Sequence, residues 1–162
     1  MRGCDLNCTY CIVPTTRGRV RSRPVEELAR EAEWYASQGV QVLTLLGQTI
    51  NSYGEDLPEP VAGEAPGRGR KGRPSLADLL YRLNEIDGLK RIRLATLHPS
   101  YVTEPFAEAI ATCSKVEKFL PLPAQAGSDP VLKRMKRGYT LDLYRRRRRI
   151  GRATSGGHIL GQ

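Results

Sequence analysis

Cys4, Cys8 and Cys11 fall in one short run, Gly3-Cys4-Asp5-Leu6-Asn7-Cys8-Thr9-Tyr10-Cys11, with the spacing Cys-x-x-x-Cys-x-x-Cys. Thiolates are the ligands that iron–sulfur clusters select. Three of them on a tight loop can hold three irons of a 4Fe–4S cubane and leave the fourth iron without a protein ligand. An iron left open is a place for chemistry, by the logic that separates open catalytic metal sites from closed structural ones.

Other uses of thiols fit this pattern less well. Structural zinc takes four protein ligands, often as two Cys-x-x-Cys pairs. Here the other cysteine is the remote Cys113, and His98 and His158 lack ligand spacing. A disulfide framework belongs to exported chains. No stretch reads as a signal peptide, and no apolar run is long enough to cross a membrane, so the expected compartment is the cytoplasm. Cys113 reads as a packed core residue at a helix end.

The formal net charge is +9, from 26 Lys and Arg against 17 Asp and Glu. Such a balance favours an acidic partner such as a nucleic acid, though two runs, Arg68 to Arg73 and Arg145 to Arg149, account for part of it. The 40% hydrophobic content fits a soluble globular chain of one domain.

The elements that must position the cysteines follow from periodicity. Residues 1–23 read as a loop with Arg17, Arg19, Arg21 and Arg23 at alternating positions, on one face if extended. Residues 24–38 read as a helix, opened by Pro24 and closed by Gly39. Val40 to Leu46 reads as a strand buried on both faces. Residues 54–74, rich in Pro, Gly and charge, read as a solvated and mobile insertion. Ser75 then caps a helix from Leu76 to Ile86. Further strands are expected at 92–97 and 119–122, and helices at 104–111, 129–137 and 141–150. Alternation of this kind implies parallel strands joined by right-handed crossovers, in a (β/α) barrel or a doubly wound sheet. Function then gathers at the loops after the strands: Gly47 to Gly54, Leu97 to Tyr101, and Pro123 to Ser128.

Taken together, these residues resemble the radical S-adenosylmethionine methylthiotransferases. The resemblance is carried by Cys4 to Arg23 with Cys11-Ile-Val-Pro14, by Leu45-Leu46-Gly47-Gln48-Thr49-Ile50-Asn51-Ser52-Tyr53, by Arg91-Ile92-Arg93 and His98-Pro99, and by Gln125-Ala126-Gly127-Ser128 and Met135-Lys136-Arg137-Gly138-Tyr139. The Gly-Gln-x-x-Asn loop and the Ile-Arg…His-Pro pattern resemble the tRNA 2-methylthio-isopentenyladenosine synthase branch. The implied fold is α/β, an incomplete radical-SAM (β/α) partial barrel with parallel strands.

The implied reaction is methylthiolation at C2 of a prenylated adenosine beside the tRNA anticodon. A 4Fe–4S cluster on Cys4, Cys8 and Cys11 would cleave one S-adenosylmethionine to a 5′-deoxyadenosyl radical, and a second would donate the methyl group. Tyr10 would pack beside adenine or cluster. Gln48, Gln125, Gly127 and Ser128 would contact S-adenosylmethionine, and Arg17, Arg21 and Arg23 would help at the cofactor or the RNA backbone. The implied partners are the tRNA anticodon stem-loop and an electron-donor protein such as a flavodoxin, with no membrane. Two alternatives stand beside this reading: a methylthiotransferase acting on an aspartate of a ribosomal protein, and a non-catalytic fragment that binds an Fe–S cluster or RNA.

The resemblance covers 1–144, a partial radical core whose first strand is expected to be missing. The family's further cluster domain and RNA-binding barrel are expected to be absent. Residues 145–162 read as an Arg-rich divergent or frameshifted tail. Pro121 and Ala126 stand where the family tends to have histidine and serine, and the second change would remove a hydroxyl contact to the cofactor.

Overall fold

Pro24 and the acidic pair Glu26 and Glu27 start the first long helix, as expected from a fixed φ and from acidic side chains at the positive helix end. A computed structural model describes residues 1–155 and 159–160, with side-chain surroundings as far as Ile150. His158 lies outside the described residues. The elements run α1 (Val13–Arg17), α2 (Val25–Ser37), β1 (Val42–Leu45), α3 (Leu76–Asn84), β2 (Arg91–Leu94), α4 (Glu104–Thr112), β3 (Leu120–Pro121), α5 (Asp129–Arg134), α6 (Leu141–Ser155) and β4 (Ile159–Leu160).

β1 and β2 pair in parallel, with Val42 opposite Arg91 and Leu45 opposite Leu94. On its other side β2 bridges Val116 in parallel: Ile92 N–H donates to the Lys115 carbonyl at 2.7 Å, and Glu117 N–H to the Ile92 carbonyl at 2.8 Å. β3 and β4 pair in parallel as well. The α/β alternation with parallel strands is therefore present.

Helices cover one face of this sheet. Leu76, Leu80 and Leu83 of α3 are almost fully buried, against Ala32 of α2, Ile92 of β2, and Phe106 and Ile110 of α4. Burying each such leucine stabilises the fold by about 1.5–3 kcal/mol. The uncovered face explains one correction. Val40 to Leu46 is not buried on both sides: Val42 is 48% exposed and Leu46 67%. Leu43 and Leu45 point to the helices, whereas Val42 and Thr44 share the other face with Arg91 and Arg93. β2 reads as it should, with Ile92 and Leu94 in and its arginines out.

Two further differences come from local chemistry. The expected loop over 1–23 contains the short helix α1, with Pro14 in its first turn. Arg19 and Arg23 do not form a free basic stripe, because Arg19 pairs with Asp5 and Arg23 with Glu27 and Glu31. Within 54–74, a single 3₁₀ turn covers Arg70–Gly72, Leu57 is buried, and Arg68, Arg70 and Arg73 pair with Asp78, Glu55 and Glu59. In the Arg-rich region, α6 continues to Ser155.

Candidate cluster-binding site

The cysteine loop is held by backbone bonds to two separate segments, residues 18–21 and Met135. Arg2 and Arg21 exchange both of their backbone hydrogen bonds, at 3.0 and 2.8 Å. Cys4 N–H donates to the Gly18 carbonyl at 3.1 Å, and Thr9 N–H to the Met135 carbonyl at 3.2 Å. Gly3 makes the first approach possible: its φ is +75°, and a Cβ there would lie 2.0 Å from the Arg19 carbonyl oxygen. Asp5 adds a side-chain tie, accepting from Val20 N–H at 3.1 Å and from Arg19 Nε at 3.3 Å.

Each cysteine then has its own surroundings. Cys4 and Cys8 are buried and Cys11 is exposed. Cys4 Sγ accepts from Leu6 N–H at 3.4 Å and lies 3.7 Å from the buried Thr49 hydroxyl. Cys8 Sγ accepts from Arg137 Nη1 at 3.2 Å. Cys11 N–H donates to the Cys8 carbonyl at 3.1 Å, closing the turn between those two residues. Cys113 is the C-cap of α4 and 1% exposed; burial pushes its thiol up, as befits a packed residue.

The donor set fits a 4Fe–4S cluster. Three thiols share one loop, and the two buried sulfurs face hydrogen-bond donors, which an anionic sulfur ligand requires. Among the described residues no three His, Cys, Asp or Glu side chains gather as ligands of a single ion would. A cubane makes a different demand, since each thiolate binds its own iron.

The loops after β1 and β2 meet beside the cysteines. Asn51 Nδ2 donates to the His98 carbonyl, and His98 N–H donates to Asn51 Oδ1, both at 2.9 Å. His98 is 2% exposed, and its Nδ1 accepts from Ser100 N–H at 3.3 Å, so its proton resides on Nε2, which is buried and has no hydrogen-bond partner among the described residues. Burial, reinforced by the Arg137 charge, pushes His98 down to about 4. A cavity of about 450 Å³ beside Cys4 is lined by Asp5, Arg19, Ser52 and Tyr101, among others. A second of about 510 Å³ runs along Tyr53, Arg68 and Ser100. Glu55, Arg70 and Tyr101 line both, so the 54–74 segment walls the approach to the cysteine loop.

The remaining sequence candidates are distributed unevenly. Tyr10 and Gln125 come together, the phenol donating to Gln125 Oε1 at 2.9 Å, with Gln125 at φ +67°. Gly127 is exposed and has open space where a Cβ would stand. Ser128 occupies the N-cap of α5, where its carbonyl accepts from Leu132 N–H at 2.9 Å. Gln48 is half-buried after β1. Gln48, Gln125, Gly127 and Ser128 line neither cavity. Thr49, Asn51 and Arg137 were not singled out for the site from sequence, although each lies in a segment that carries the family resemblance.

A model of the Radical SAM superfamily matches residues 1–150. The chain belongs to the radical SAM superfamily. Among curated proteins, this radical SAM chain is similar to several called tRNA-2-methylthio-N(6)-dimethylallyladenosine synthase. That of Herpetosiphon aurantiacus is 46% identical over 88% of this chain and 30% of its own length. That of Dehalococcoides mccartyi is 47% identical over 90% of this chain and 32% of its own. The Rhodopirellula baltica protein is 49% identical over 88% and 27%. The radical SAM chain thus spans under a third of the length of these relatives.

Proposed function

We propose that this chain forms the radical-generating part of a tRNA methylthiotransferase that modifies C2 of a prenylated adenosine beside the anticodon. The observation that carries the reading is the 46% identity over 142 residues to a protein of that name; the superfamily match over residues 1–150 takes in the cysteine loop. Cys4, Cys8 and Cys11 would hold a 4Fe–4S cluster with one iron open. When bound, the cluster and S-adenosylmethionine supply reductive cleavage of the sulfonium and, through it, hydrogen abstraction.

The chain's own residues have the supporting roles. Leu6 N–H and Arg137 donate to the two buried sulfurs, and the Thr49 hydroxyl lies 3.7 Å from Cys4 Sγ. Tyr10 and Gln125 pin the cysteine loop to the loop after β3. The Asn51–His98 bridge fixes the loops after β1 and β2 to each other. Gln48, Gly127 and Ser128 are proposed contacts to S-adenosylmethionine, and Arg17 and Arg21 to the RNA backbone. An electron-donor protein such as a flavodoxin and a cytoplasmic setting belong to the same proposal. Among the described residues no helix is long and apolar enough to cross a membrane.

A graft tests it. Residues 1–144 replace the matching segment of the Herpetosiphon aurantiacus relative, and prenylated tRNA and small-subunit ribosomal protein are offered under reducing, anaerobic conditions. Mass spectrometry should find the methylthio group on the nucleoside. A methylthio group on the protein alone would point to the ribosomal-protein branch, and none on either to a non-catalytic fragment.

A further inference from the structure

Arg137 is a buried guanidinium, 8% exposed, and among the described residues no carboxylate pairs with it. A buried unpaired cation costs several kcal/mol. Its Nε also lacks a hydrogen-bond partner there. What it does touch is Cys8 Sγ, through Nη1 at 3.2 Å, and the Tyr139 ring, 5.5 Å from its centroid. The backbone is shaped for this placement: Lys136 and Gly138 on either side take φ of +53° and +69°, and Arg137 N–H returns to the Leu132 carbonyl at 3.0 Å. The neighbouring Met135 carbonyl accepts from Thr9, inside the cysteine loop. A cation aimed this way compensates anionic sulfur, and a cluster on three thiolates supplies it.

We propose that Arg137 is a positioning residue that holds Cys8 against the cluster and raises the cluster's reduction potential. The inference rests on the cluster reading of Cys4, Cys8 and Cys11. Hydrogen bonds to the sulfurs and local charge are two of the levers by which a protein sets such a potential. Nη1–H···Sγ supplies one and the buried positive charge the other. Both stabilise the reduced, more negative cluster. The sulfurs are treated unequally: Cys8 has a charged donor, Cys4 a backbone N–H and a distant hydroxyl, and Cys11 is exposed.

The full chain, its Arg137→Gln and Arg137→Lys variants, and Thr49→Val are reconstituted anaerobically with iron and sulfide. Iron content, far-UV circular dichroism and an EPR-monitored reductive titration are read for each. Arg137→Gln should keep its cluster but show an about tenfold lower ratio of reduced to oxidised cluster at the wild-type midpoint, a fall of about 59 mV for a one-electron couple. Arg137→Lys, which keeps the charge but not the planar fork, should fall less. Thr49→Val should shift less again. Loss of iron from a folded Arg137→Gln chain would support the holding role. If that variant does not fold, Arg137→Lys decides. Midpoints equal to wild type in the Arg137 variants that hold iron would overturn the proposal. Failure of the wild-type chain to take up iron would overturn the cluster reading itself.

Discussion

The side chain of Asn51 and the backbone of His98 exchange two hydrogen bonds, each 2.9 Å long, across 47 residues of sequence. The amide acts as a third strand would, satisfying one N–H and one carbonyl in a place where no ladder reaches. It joins the loop after β1 to the loop after β2. Buried polar groups require such partners, and each one left alone costs about 1–3 kcal/mol.

Asn51→Ala should therefore destabilise the chain by about 2–4 kcal/mol, since it strands both His98 groups at once. Asn51→Asp should recover part of this, because a carboxylate oxygen still accepts from His98 N–H while nothing donates to the carbonyl. Urea unfolding of the three chains provides the measurement, and equal stabilities would mean that water replaces the amide.

Two glycines with positive φ separate conformational cost from steric cost. Gly54 has φ +90°, and a Cβ there would lie 1.8 Å from the Pro74 carbonyl oxygen; Gly18 has φ +71° and open space around it. Gly18→Ala should cost about 1–3 kcal/mol from the backbone alone, because its φ of +71° with ψ of −163° is a conformation essentially confined to glycine. Gly54→Ala should cost about 3 kcal/mol or more, because the 54–74 segment must also move off its seat. Similar losses for both would show that the Pro74 backbone yields freely.

Much of this architecture could be read from residue order. Leu76, Leu80 and Leu83 stand at helical spacing and fill the core, and Pro24, Ser75 and Gly39 punctuate as turn chemistry requires. The cysteines proposed as cluster ligands stood out because their meaning lies in local spacing. The contacts to their sulfurs were not. Arg137 reaches Cys8 from 129 residues away, and nothing in Met135 to Tyr139 says where that side chain points. β1 misled for a related reason: an apolar run specifies a strand, but which of its faces is covered depends on elements elsewhere, and Val42 and Leu46 are left exposed. α1 was hidden by its brevity and by the loop-like composition around Pro14.

Asp78 is the hub that ties the 54–74 segment to α3. Its carboxylate accepts from Ser75 N–H at 2.8 Å, Ser75 Oγ at 2.7 Å, and Arg68 through N–H and Nη1, both at 2.9 Å. Burial alone would raise its pKa, but the bonds from Arg68 and Ser75 outweigh that and hold the carboxyl below its usual range. Its contribution is thus present above the ordinary carboxylate pKa and lost as pH falls through the lowered one. Asp78→Ala should cost about 2–3 kcal/mol, against about 1 kcal/mol for Ser75→Ala. Only the Asp78 change should sharply increase tryptic cleavage after Arg68 and Arg70. Unchanged cleavage would show that the ion pairs of Arg70 and Arg73 with Glu55 and Glu59 hold the segment by themselves.

His98 makes stability depend on mildly acid pH. Folding lowers its pKa from an ordinary value of about 6.5 to about 4, chiefly by burial. Between those values the unfolded chain binds a proton that the folded chain refuses. The contribution of the neutral ring is therefore complete above pH 6.5 and declines as pH falls toward 4, by about 3 kcal/mol in all. Carboxylates titrate over part of the same range, so the informative quantity is the difference between wild type and His98→Asn. The asparagine oxygen can still accept from Ser100 N–H in place of Nδ1, while its amide does not titrate. Urea midpoints taken between pH 4 and pH 8 should show the wild-type advantage shrinking steadily below pH 6.5. A difference that stays constant across the range would mean that the ring reaches water and takes up its proton in the folded chain.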